Sequence, residues 1–315
     1  MHDPDVRNLV QQIAPGSQTT DLGGTMSLNL RVEPNDWVLR IHQPFVSKHR
    51  LRAIQALRFG CRKQGLRLPE PVERNRSPIL RCRNRWAELE EYVPHERLPP
   101  NFHAYTWLFH AMGILHRTLV ALELTVPRPV IATYGTPSTL RRWQQYTEAS
   151  LQGDAEATDI ANRLRDLVCE LRRRWVSSSE IPRQLVHGDV RLSNVCSTVG
   201  DVPVFFDFGF AAQRPRVHDL AYALAFMFLA QRGHEALPTD PWHDVEPLVS
   251  TYESACGSPL TAWERKALPS YMAAVPLYQV AIAAWSHDAA QQLREKQHFL
   301  QLGEWILAHP GVLMG

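Results

Sequence analysis

The chain has 315 residues, ample for one large core or two lobes. Hydrophobic residues make up 44% and charged residues 21%, with a formal net charge of +2, so nothing in the balance demands a polyanionic partner such as nucleic acid. Five cysteines (Cys61, Cys82, Cys169, Cys196, Cys256) are odd in number and form no CxxC pair, which argues against a disulfide framework or zinc site and for reduced thiols in a cytoplasmic setting.

The first residues, Met1 to Asp5, carry no signal-peptide pattern. Leu22-Gly23-Gly24-Thr25-Met26, followed by the alternating run to Val32, predicts a hairpin whose glycines let the backbone approach a ligand closely. Trp37 to Ile41 predicts a strand bearing Arg40. A helix should start after Ser47 as its cap, carry Leu51, Ile54, Leu57 and Cys61 along one side, and end near Gly65 and Pro69. Residues 1–93 therefore read as a small lobe of strands with one helix. The basic residues from Arg40 to Arg97 read as a solvated face or a cationic lining for phosphates.

Past the Pro-rich stretch Pro94 to Pro100 the pattern turns helical. Asn101 can cap a helix with the stripe Tyr105, Leu108, Phe109, Met112, Leu115 and Leu119, and Ile160, Leu164, Leu167, Val168, Leu171 and Trp175 form a second. Leu220 to Ala230 is apolar but too short to span a bilayer, so a buried helix and no membrane partner are expected. Leu237 to Pro247 reads as a loop, and about Trp263 to Leu307 as helical.

The densest signal is His187 to Gly209, HGDVRLSNVCSTVGDVPVFFDFG. Asp189 suits a loop carboxylate that accepts or orients a hydroxyl proton. Asn194 and Asp207 each offer a hard oxygen, and Mg²⁺ is typically held by one or two such groups with phosphates and water. Arg191 could meet a moving phosphoryl group as a fixed cation. Two short strands, Gln184 to Val186 and Val202 to Phe206, would lead into His187 and Asp207. Either aspartate alone would read as a turn residue. At this joint spacing they read as a catalytic set, with His187 packing and hydrogen-bonding within the loop.

This pattern, with Arg214-Pro215-Arg216-Val217-His218-Asp219-Leu220-Ala221 downstream, resembles the aminoglycoside phosphotransferase and choline kinase family over roughly residues 20 to 230. The resemblance implies an α+β, two-lobed protein-kinase-like fold, with a nucleotide-binding lobe at 1–93 and a catalytic and acceptor-binding lobe at 94–315. It implies that Gly23 and Gly24 cover the phosphates, that Arg40 stands where a phosphate-gripping lysine is commoner, and that the backbone of Glu91 to Val93 meets the base. It further implies Mg²⁺, ATP or GTP as co-substrate, Asp219 as a brace for the catalytic loop, and a small-molecule hydroxyl as acceptor: an aminoglycoside-like antibiotic, an amino alcohol or a sugar.

One departure stands out. In this fold a glutamate on the following helix usually pairs with the strand cation, yet Trp37 to Pro69 contains no Asp or Glu. Either Arg40 is positioned by something else, such as Asp207 or the phosphates, or the helix sits differently. The departure leaves open an alternative: a catalytically impaired kinase-fold protein that binds nucleotide or a partner without transfer. Residues 231–315 mix acidic side chains (Glu235, Asp240 and Asp244 among them) with basic ones and form no dense lining for a polycation. Leu237 to Pro247 is expected to border the acceptor cleft. Trp242, Trp263 and Trp285 read as packed helix residues that could otherwise stack on a cation or sugar.

Overall fold

The computed structural model describes residues 3–309 apart from 25, 75, 152, 178 and 232–241. It opens with a helix that the sequence reading did not anticipate, α1 (Pro4–Ile13). Asp3 caps it by accepting from the Asp5 amide, and Pro4 suits the first turn because no amide is needed there. Strands β1 (Gln18–Asp21), β2 (Ser27–Glu33), β3 (Trp37–His42), β4 (Ile79–Cys82) and β5 (Arg85–Glu91) then form one antiparallel sheet in the order β1-β2-β3-β5-β4. Alternation along these strands gives the sheet two unlike faces. Leu30, Val32, Leu39, Ile41, Ala87 and Leu89 pack with Val6, Leu9, Val10 and Ile13 of α1 in one apolar cluster. Arg40, His42, Glu88 and Glu90 occupy the alternate positions and make the other face polar.

Helix α2 (Lys48–Lys63) crosses from β3 to β4 and begins as expected, with the Ser47 hydroxyl accepting from the Arg50 amide. The basic zone is not simply a solvated face: Arg50 and Arg58 are buried, at 6% and 7% exposure.

The rest is mainly helical. α3 (Phe102–Ala121) is capped by Asn101, α4 (Pro137–Ala149) by Thr136 and α5 (Ala155–Arg174) by Asp154. All six residues of the first apolar stripe are buried in the large core, while Leu167 and Trp175 of the second are only partly so. Two small two-stranded sheets follow. β6 (Arg183–Val186) pairs with β9 (Ala212–Pro215), and β7 (Val195–Ser197) pairs with β8 (Pro203–Phe205). The strands leading to His187 and Asp207 are therefore not partners of one another.

α6 (Val217–Gln231) is buried as expected along Leu220 to Phe228, apart from the half-buried Phe226. Of the expected loop, 237–241 lies outside the described residues, together with Glu235, and Trp242 to Pro247 belongs to α7 (Trp242–Cys256). Ala262–Trp285, which includes α8 (Ala262–Ala281), is long and apolar enough to cross a membrane, but 78% of its most apolar window is buried against the protein. Trp263 and Trp285 are about half exposed, not packed; Trp285 meets Trp143 of α4 edge-on.

Candidate active site

The loop between β6 and β7 is held from below by one carboxylate. Asp219, fully buried near the start of α6, accepts from the amides of His187 (2.9 Å) and Gly188 (2.8 Å). His116 of α3 donates to it through Nε2 at 3.0 Å and accepts at Nδ1 from the Tyr252 hydroxyl. Burial alone would raise the Asp219 pKa, but the His116 hydrogen bond outweighs it and the net shift is downward. Gly188 has φ 85°, and a Cβ there would fall 2.4 Å from the Phe210 carbonyl oxygen, so only glycine fits. His187 is wholly buried and works as the sequence suggested: its Nε2 donates to the Phe206 carbonyl and its Nδ1 accepts from the Asp189 amide. Burial lowers its pKa, which keeps the ring neutral.

Asp189, 3% exposed, emerges from this bracing. Asn194 Nδ2 donates to its Oδ2 (2.7 Å) and to its backbone carbonyl (2.9 Å). Its Oδ1 faces Arg191 Nε at 3.3 Å but makes no aligned hydrogen bond. Burial pushes the Asp189 carboxyl up to about 7; Asp207 adds to this, and Arg191 opposes it. Arg191 in turn lies over the Phe226 ring, with 5.6 Å to the centroid.

The β7–β8 register sets Val195 opposite Phe205, and the Phe206 amide donates to the Asn194 carbonyl, so Asn194 and Asp207 reach the same edge. Asp207 has φ 53° and ψ 66°, a left-handed conformation that is costly for a residue with a side chain. Its carboxylate accepts from the Gly209 amide, which turns the chain at once into a short 3₁₀ segment, Phe208–Phe210. Asn194 spends its amide hydrogens on Asp189, which frees its carbonyl oxygen. That oxygen and the Asp207 carboxylate are two hard donors suited to a small divalent cation, with further ligands from phosphates and water. Among the described residues no group of three or more His, Cys, Asp or Glu could hold a metal by itself.

Arg40 is not left without an acidic partner. Its NH1 contacts Asp207 Oδ1 at 3.0 Å and its NH2 lies 3.7 Å from Glu90 Oε1. Burial works against its charge, but Asp207, Glu90 and Glu88 outweigh this and raise its pKa. The same pairing lowers the Asp207 pKa against the effect of burial, with Arg40 the main cause. The carboxylate missing from α2 is supplied by β5. Reading along the chain missed this, although the alternation Ala87-Glu88-Leu89-Glu90 was a usable signal that both acids share one face of a strand.

Asp189, Arg191, Asn194, Asp207, Arg40 and Glu90 line one cleft together with Leu22, Gly23, Gly24, Val38 and Tyr92. Gly23 and Gly24 stand in the β1–β2 turn as predicted; a Cβ on Gly24 would meet Asn29 Nδ2 at 2.6 Å. Glu91 and Val93 line the same cleft, but the Glu91 amide donates to the Glu70 carbonyl and the Tyr92 amide to the Asp36 carbonyl. The Val93 carbonyl lies 2.8 Å from His95 Nδ1. Of the three backbone amides expected to meet a base, only that of Val93 has no hydrogen bond among the described residues.

Residues 20–246 match the family model of the phosphotransferase enzyme family. No protein of curated function matches the sequence. Among solved structures, the chain is similar to a microcompartment-associated aminopropanol kinase, with a TM-score of 0.73 and 19% identity over 99% of this chain and 100% of the other. It is also similar to the amicoumacin kinase hAmiN in complex with AMP-PNP, Ca²⁺ and Ami (TM-score 0.68, 14% identity, 97% and 96% covered). A third is the GDP complex of aminoglycoside 2'-phosphotransferase-IIIa (0.65, 14%, 97% and 99%). A family match across most of the chain, on a kinase-like α+β frame, means that this protein belongs to the phosphotransferase enzyme family.

Proposed function

We propose that the protein transfers the γ-phosphate of ATP or GTP to a hydroxyl of a small molecule, with Mg²⁺, in the cleft between residues 1–93 and 94–315. One observation carries this reading: Asp189, Asn194, Asp207 and Arg40 converge on a single cleft, with Asn194 bonded to Asp189 and its oxygen left free. Asp189 orients the acceptor hydroxyl and takes up its proton as the new P–O bond forms. Its raised pKa suits a group that must hold a proton near neutral pH. Asn194 and Asp207 would hold Mg²⁺, which when bound neutralises charge on the phosphate oxygens.

Arg40 grips the nucleotide phosphates, and Arg191 meets the transferring group beside Asp189. Gly23 and Gly24 let the β1–β2 turn close over the phosphates. The backbone of Glu91 to Val93 faces the base, with the Val93 amide as the free donor. The five cysteines are free thiols, in keeping with a cytoplasmic setting. The alternative of a chain that binds without transferring rested on a missing carboxylate beside Arg40, where Asp207 and Glu90 in fact stand. For the acceptor, the neighbours named for aminopropanol, amicoumacin and aminoglycosides make a hydroxyl compound that also carries an amine the first class to try.

The test is acceptor-dependent release of ADP or GDP with Mg²⁺ over a panel of amino alcohols, aminoglycosides and sugars, run on wild type and Asp189→Asn. Turnover with one class that falls by about a thousandfold or more in the variant, at nearly unchanged nucleotide affinity, is the expected result. Full activity in Asp189→Asn would overturn the assignment.

A further inference from the structure

Helix α2 reaches the cleft with cations where a carboxylate is expected. Arg50, Ile54 and Arg58 follow at intervals of four and share one face of the helix. Arg58 NH2 donates to Glu90 Oε2 at 2.6 Å and to the Pro69 carbonyl at 2.8 Å. Arg50 NH2 donates to the carbonyls of Gly209 (2.7 Å) and Ala211 (3.0 Å), just past Asp207. Glu90 is 4% exposed and faces Arg40 with its other oxygen. A chain of contacts thus runs from α2 to the candidate metal ligand: Arg58, Glu90, Arg40, Asp207.

Resting on the phosphotransfer reading above, we propose that Glu90, anchored by Arg58, is the positioning residue for Arg40, a duty moved from α2 to β5. The β3–β5 register sets Arg40 opposite Glu88 and Val38 opposite Glu90, so Glu90 meets Arg40 on the diagonal and draws its guanidinium toward the cleft end of the strand. Glu88 is engaged elsewhere, by His42 Nε2 at 2.7 Å and by Gln55. When phosphates draw Arg40 away from Asp207, Glu90 retains Arg58 as counter-charge and keeps its hold on Arg40. Without Arg58 a buried carboxylate would face one cation that must also serve the nucleotide, and an unpaired buried charge is strongly unfavourable.

The experiment is a double-mutant cycle on Glu90→Gln, Arg58→Gln and the pair. It is read by the dissociation constant of a fluorescent ADP analogue, by nucleotide KM against kcat, and by thermal melting to show that each variant folds. Glu90→Gln should weaken nucleotide binding about tenfold or more, the size of one charged contact, with acceptor KM unmoved. Arg58→Gln should weaken it less, and add nothing in the Glu90→Gln background, because it acts through Glu90. If Glu90→Gln does not fold, Glu90→Asp keeps the charge and shortens the reach, and a partial loss of affinity is expected. Folded Glu90 variants with wild-type nucleotide affinity, or losses that simply add in the double variant, would overturn the inference while leaving the phosphotransfer reading intact. A wild-type chain that binds no nucleotide would overturn both.

Discussion

Asp219 and Arg40 each sit at the centre of a buried polar cluster, but the clusters are built from different parts. The partners of Asp219 are two backbone amides and one histidine, so two of its three hydrogen bonds come from the main chain and what it holds is the path of that chain. The partners of Arg40 are carboxylates from two other strand ends, so charge meets charge and what is held is the position of one side chain. A main-chain brace should fail by unfolding or distorting the loop. A side-chain brace should fail by loss of ligand affinity while the fold persists.

Breaking the first cluster should give the largest effect. Asp219→Ala orphans the amides of His187 and Gly188 and the ring of His116, at a cost of about 3–6 kcal/mol, and thermal melting should show it. A melting temperature like that of wild type would erase the distinction.

The second effect is pH-dependent and concerns the residue that the brace presents. The Asp189 pKa is raised on folding from 3.8 to about 7, so its contribution to stability is present below pH 4 and is lost as pH rises through 7. Asp189→Asn removes that loss. In metal-free protein its stability relative to wild type should grow between pH 4 and 7, by about 2–4 kcal/mol, and stay level above. Chemical denaturation across that range checks it; a difference that is flat with pH would show that Asp189 is already ionised in the folded protein.

Gly188→Ala tests the same loop more gently. Its Cβ must displace the Phe210 carbonyl, which should cost about 1–3 kcal/mol and turnover along with it. Smallest is Arg40→Lys, which keeps the charge but cannot span Asp207 and Glu90 together. Nucleotide affinity should fall by about three- to tenfold, some 1 kcal/mol, with an unchanged melting curve. An altered melting curve there would make Arg40 a main-chain brace after all.

Much of the candidate site was legible because its residues lie close in sequence. Asp189, Asn194 and Asp207 sit within one loop and one short hairpin, so spacing alone largely places them. The caps Ser47 and Asn101 were equally legible, since a cap acts on an amide three residues away. Helix α1 was not, because its apolar set of Val6, Leu9, Val10 and Ile13 becomes informative only once the sheet face that it covers is known. The pairing of β6 with β9, and of β7 with β8, was hidden for a related reason: short strands carry a period but not the identity of a neighbour.

The sequence by itself determined the order of the chemical groups and the local turns that present them, because hydrogen bonds across two to five residues and apolar periodicity are properties of the local chain. Tertiary structure alone decided which charge answers which. Arg40, Arg58, Glu90 and Asp207 come from four separate elements, and the acids that answer Arg40 lie outside the acid-free stretch from Trp37 to Pro69. The β3–β5 register put Glu90 within reach of both arginines, and electrostatic pairing in a buried site depends on that distance and not on separation along the chain.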